Sequence, residues 1–124
     1  MNKPIVSPNA PAAVGPYVHA VEANGTLYCS GQLGIDPATG ELLEGIEAQS
    51  VQALKNLGAV LEESGYKFTD VVKTTVFLDS IADFGTFNEI YAGVFADNKP
   101  ARSCFEVGKL PKGGLVEIEC IAVK

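Results

Sequence analysis

The sequence predicts an α+β domain in which a single mixed β-sheet carries two helices packed on one face. Three observations point there. Five short β-patterned segments lie between turn residues, two segments carry an apolar stripe at helical spacing, and the order is β-β-α-β-α-β-β. With 124 residues the chain is one domain's worth, residues 1–124. A domain of this size buries roughly two-thirds of its unfolded surface and needs no disulfide or metal staple.

Pro4, Pro8, Pro11 and Pro16 keep residues 1–16 out of a helix, with room for a short strand near Ile5. Tyr17 to Val21 and Thr26 to Leu33 read as strands joined at Asn24-Gly25, the pair that suits the positive φ angles of a type I′ turn. Asp36-Pro37-Ala38-Thr39-Gly40 is a second turn. From Ile46 to Ser64 the period becomes helical: Ser50, Leu54, Leu57 and Leu61 form a stripe with Val51 and Val60 alongside, and Gly65 is placed for a left-handed C-terminal cap. Val71 to Leu78 is a β-branched run and reads as a strand. A second helix is expected to start near Ser80, where Ser80-x-x-Asp83 has the form of a capping box, and to bury Phe84, Phe87, Tyr91, Val94 and Phe95 before Asn98-Lys99-Pro100 stops it. Ala101 to Val107 and Leu115 to Val123 then read as a final hairpin.

Two helices cover only one face of such a sheet. The other face needs a partner, and a second copy of the same chain is the expected one. The longest apolar run, Cys120 to Val123, is four residues, so no membrane span is expected. Met1 to Pro8 has no apolar region of the kind a secretory signal needs. Cys29, Cys104 and Cys120 form no C-x-x-C pair, which reads as reduced thiols in a cytoplasmic protein. Nine basic against fifteen acidic residues give a net charge of −6, which argues against nucleic acid as a ligand. The single histidine, His19, excludes a His-rich zinc site within one chain, and the usual nucleotide loops are absent. No cofactor or metal is expected.

The final hairpin concentrates the candidate chemistry. By alternation Arg102, Cys104 and Glu106 share one face of the first strand, and Glu117, Glu119 and Ile121 share one face of the second. With the hairpin centre between Leu110 and Pro111, Arg102 lies opposite Glu119 and Cys104 opposite Glu117. A register shifted by one residue separates the two sets. In the favourable register an anion site results, with a planar arginine fork for a carboxylate and a glutamate for a water. The commoner fate of such residues is a cross-strand ion pair on a solvated face. Tyr17, Ser30, Gly31 and Asn88 are weaker candidates to border a ligand, and Cys104 reads as a small packed residue.

Several blocks together resemble the RidA/YjgF family. Pro100-Ala101-Arg102-Ser103-Cys104, then Leu110-Pro111 and Val116-Glu117-Ile118-Glu119, are similar to its C-terminal signature. Ala10 to Tyr17, Ser30-Gly31-Gln32, Lys73 to Phe77 and Phe87-Asn88-Glu89-Ile90-Tyr91 match its earlier blocks, so the likeness runs through nearly the whole chain. The resemblance implies a chorismate-mutase-like α+β fold and a homotrimer with a central sheet-lined barrel and clefts between subunits. It also implies hydrolysis of 2-iminobutanoate and 2-iminopropanoate, released by pyridoxal-phosphate enzymes, to 2-oxo acids and ammonia. Arg102 would hold the substrate carboxylate and Glu117 would position the water, a choice over Glu119 that rests on the family motif alone. Tyr17, Ser30, Gly31, Asn88 and Cys104 would line the pocket. A non-catalytic 2-oxo acid sensor would use the same residues.

Overall fold

The structure, a computed structural model, describes residues 2–124. Six strands and two helices follow in the order β1 (Lys3–Ile5), β2 (Ala20–Ala23), β3 (Thr26–Leu33), α1 (Ile46–Glu63), β4 (Val71–Leu78), α2 (Phe84–Val94), β5 (Ala101–Glu106) and β6 (Val116–Val123). The strands form one sheet in the spatial order β1-β2-β3-β6-β4-β5. It is mixed: β4 and β5 run parallel, and every other neighbouring pair is antiparallel.

Local chemistry accounts for most element ends. Asn24 and Gly25 take φ values of 53° and 79°, as the β2–β3 turn requires. Gly65 takes φ 78° just past α1, where the Tyr66 N–H reaches back to the Leu61 carbonyl. Ser50, Ala53, Leu54, Leu57, Val60 and Leu61 are buried beneath α1, while Val51 faces solvent. The Ser80 hydroxyl accepts from the Ala82 N–H at 3.3 Å and opens a single 3-10 turn, Ile81–Asp83, so α2 begins at Phe84 rather than at Ser80. The strand expected from Tyr17 starts only at Ala20, because β3 bulges between Cys29 and Gln32 and the β2 ladder ends at Ala20↔Cys29.

The expected final hairpin does not form. β6 lies between β3 and β4, and β5 sits on the far edge beyond β4. The reason is the pair of helical crossovers. Each joins strands that run parallel, so β3 and β4 point the same way with an antiparallel slot between them. β6 fills it: Val116, Ile118, Cys120 and Ala122 are at most 3% exposed against the helices, an apolar run that an edge position would waste. Cys29 and Cys120 face each other across the β3–β6 pair, and the hydrogen bond that the Cys120 thiol donates to Cys29, together with burial, pushes that thiol far up. The sheet face away from the helices is uncovered, with Tyr28 and Phe105 exposed and Phe77 set edge-on to Phe105 at 5.5 Å. No helix among the described residues is long and apolar enough to cross a membrane.

Candidate active site

The topology splits the candidate residues between two faces of the sheet. Arg102 pairs with Thr74 and Cys104 with Val76, both buried against the helices, so Arg102 and Cys104 lie on the helix side. Glu117 pairs with Phe77 and Glu119 with Thr75, one residue out of step, so both carboxylates lie on the opposite, uncovered face. The expected pairings of Arg102 with Glu119 and of Cys104 with Glu117 are therefore wrong. β4 separates β5 from β6, and within one chain the arginine and the glutamates do not meet.

On the uncovered face, Glu117 is built into a cleft of about 480 Å³ with Tyr17, Gly31, Leu33, Pro111 and Lys112 among its walls. The β3 bulge decides this. Without the extra residue, Gly31 would share the helix side with Leu27 and Cys29; with it, Gly31 turns outward beneath Glu117. The Glu117 carboxylate rests directly on the glycine: a Cβ at residue 31 would come 2.9 Å from Glu117 Cδ. Burial, with a smaller contribution from Glu119, raises the Glu117 carboxyl above its ordinary value.

The cleft's frame is hydrogen-bonded from behind. Asn56, 1% exposed on α1, donates Nδ2 to the carbonyls of Leu33 and Ile35 at 3.0 and 2.8 Å. Gln49 donates to the Leu43 carbonyl and accepts from the Leu115 N–H. His19 is a structural residue: the Ser7 N–H donates to Nδ1 at 2.9 Å, which leaves the proton on Nε2 for the Pro11 carbonyl at 2.7 Å. The Ser30 hydroxyl donates to the Val18 carbonyl at 2.7 Å, so it fastens the segment carrying Tyr17 and is not itself a cleft wall. Tyr17 is 49% exposed at the cleft.

On the helix side, Arg102 reaches along the sheet edge to α2. Its Nη1 donates to Asn88 Oδ1 at 2.7 Å, and its Cζ lies 4.7 Å from the Tyr91 ring centre and 5.5 Å from that of Phe84. Asn88 is half-buried in this contact. Residues 84, 88 and 91 stand at i, i+4 and i+7, one face of a helix. That spacing is the signal by which Phe84 and Tyr91 were findable as partners of the arginine, but both read as core. Arg102, Asn88, Tyr91, Phe95, Lys99 and Pro100 border a second cleft of about 540 Å³. Burial raises the Cys104 thiol, only partly offset by Arg102, and Cys104 is not among the residues that line either cleft. One cleft thus presents a cation with open N–H edges, and the other presents a carboxylate with a raised proton affinity.

Comparison with known proteins gives the class. The family model described as Endoribonuclease L-PSP matches residues 7–124. The chain is 51% identical over 125 residues to a rat protein named 2-iminobutanoate/2-iminopropanoate deaminase, covering 100% of this chain and 91% of that one. Among solved structures, a Rid-family protein from Yersinia pestis superposes with a TM-score of 0.97 at 48% identity, covering 100% of both chains. E. coli TdcF with bound serine does so with a TM-score of 0.95 at 38% identity, covering 98% of both. The chain belongs to the endoribonuclease L-PSP family, the RidA/YjgF family that its motifs resemble.

Proposed function

We propose that the protein is a 2-iminobutanoate/2-iminopropanoate deaminase, hydrolysing reactive 2-imino acids to 2-oxo acids and ammonia at clefts formed between copies of the chain. The observation that carries the site assignment is the separation of Arg102 from Glu117 on opposite sheet faces. Each half lacks what the other has, so a second chain must supply it. The exposed face bearing Tyr28 and Phe105, and the unpaired edge of β5, support such assembly. The family resemblance favours a trimer. A relative holding bound serine, as TdcF does, supports a site that accepts an α-carboxylate.

The chemistry follows from the two halves. Arg102 receives the substrate carboxylate on the N–H groups that Asn88 leaves free. A protonated imine is already electrophilic at carbon, so water adds as Glu117 takes one of its protons. The new C–O bond forms as the C=N pair moves to nitrogen, giving a carbinolamine. Glu117 returns its proton to that nitrogen and then takes the hydroxyl proton as the C–N bond breaks, releasing ammonia and the 2-oxo acid. A carboxylate with a raised proton affinity suits both transfers near neutral pH.

Gly31→Ala is a sharp check on Glu117. The added methyl displaces the carboxylate it would touch, and turnover is expected to fall about 100-fold. Steady-state kinetics beside a melting curve reads this; unchanged kcat in a folded variant would remove Glu117 from the reaction. The activity itself is tested by generating 2-imino acid with an amino-acid oxidase in the presence of semicarbazide. The protein is expected to suppress semicarbazone formation in proportion to its concentration. Binding of 2-oxobutanoate without suppression would make it a sensor.

A further inference from the structure

Arg102 sits on an edge strand, half-buried, on a side chain with four rotatable bonds, yet a carboxylate receptor works best when its fork is held before the ligand arrives. Asn88 fixes one corner of the guanidinium at 2.7 Å. One hydrogen bond leaves the plane free to swing about that corner. The Tyr91 ring, 4.7 Å from Cζ, removes this freedom by attracting the cation over its face, and Phe84 adds a second ring at 5.5 Å. Tyr91 is itself held: its hydroxyl is 2.8 Å from Thr74 Oγ1, and Thr74 is fully buried and paired in register with Arg102. Its ring also packs against Phe87 and Phe95, at 5.6 and 4.6 Å between centres.

We propose that Tyr91, fixed by Thr74, is a positioning residue that sets the plane of the Arg102 guanidinium for carboxylate binding. This rests on the assignment of Arg102 as the carboxylate anchor and adds to it the residue that pre-organises the anchor. The ring acts through its face. Burial holds the phenol above its ordinary value, so it stays neutral and attracts the cation without an ion pair.

The role predicts a binding effect with little change in chemistry, since the water and Glu117 come from the other chain's half of the shared cleft. Tyr91→Leu is expected to raise KM for the imino acid, and Kd for 2-oxobutanoate by calorimetry, about five- to tenfold, with kcat changed less than about twofold. Tyr91→Phe keeps the face and is expected to recover most of that loss. The Arg102 Nε–H proton in the wild-type NMR spectrum is expected upfield of its random-coil position, because a ring face shields it. A normal position in the wild type, or an unchanged KM in folded Tyr91→Leu, overturns the proposal. So does a Tyr91→Phe variant as impaired as Tyr91→Leu, which would assign the effect to the hydroxyl. Arg102→Ala run in parallel keeps the two levels apart: retained turnover there sinks the anchor itself, whereas lost turnover with wild-type behaviour of Tyr91→Leu sinks only the positioning role.

Discussion

Arg102→Ala is expected to lower kcat/KM for 2-imino acid hydrolysis about a thousandfold while leaving fold and assembly intact. The arginine is already engaged in its cleft with a positioning partner, Asn88, and its removal leaves that side-chain carbonyl and the substrate carboxylate without it. Truncating one partner of a hydrogen-bonded charge pair costs about 2–5 kcal/mol, and misorientation of the imine carbon adds to it. The fold should not notice, because Arg102 lies at the sheet edge and the core beneath Thr74 and Val76 is intact without it. Semicarbazone suppression, paired with a circular-dichroism melt and a sizing column, reads all three. Retained activity in the purified variant would remove Arg102 from the site.

Glu117→Gln is expected to reduce kcat about a thousandfold, the scale of a lost general base, with little change in 2-oxobutanoate affinity. It should also alter stability, in a direction set by pH. Burial raises the wild-type carboxyl above its ordinary 4.5, so ionising it works against folding at neutral pH. Glutamine does not ionise. The variant is therefore expected to melt above the wild type at pH 7, with the gap closing as pH falls below the ordinary glutamate range, where both side chains are neutral. The same raised value places the acid limb of the wild-type rate profile above that range, with turnover lost as pH falls through it. A variant melting lower at pH 7, or a rate profile flat down to pH 4, would show that the carboxylate is neither desolvated nor the base.

The elements that local chemistry controls were legible in the sequence. Asn24-Gly25, Gly65 and the stripe from Ser50 to Leu61 each act over a few residues, and each stands where expected. Strand order was not legible, because it depends on where crossovers leave a slot. β5 and β6 are consecutive and separated by turn residues, so local pattern favours a hairpin; only the parallel run of β3 and β4 dictates that β6 enters between them. That one difference moved Arg102 and Glu117 to opposite faces. The bulge at Ser30-Gly31 was equally hidden, since a glycine near a strand end does not reveal an extra residue in the ladder. Arg102, Glu117, Tyr17, Gly31 and Asn88 are legible as candidates from residue type and motif alone, neither of which depends on strand pairing. Tyr91, proposed above as a positioning residue, reads in the sequence as packing, because it is an aromatic on an apolar helix face.

If a working cleft takes its arginine from one chain and its glutamate from another, subunit complementation shows it most directly. Arg102→Ala and Glu117→Gln proteins, each nearly inactive alone, are unfolded together in equal amounts and refolded. If clefts form between copies, random mixing gives some that receive an intact Arg102 from one variant and an intact Glu117 from the other. About a quarter of wild-type activity is then expected for heterologous contacts in a closed ring. Activity no greater than the sum of the two separate variants would contradict a shared site and place all of the chemistry within a single chain.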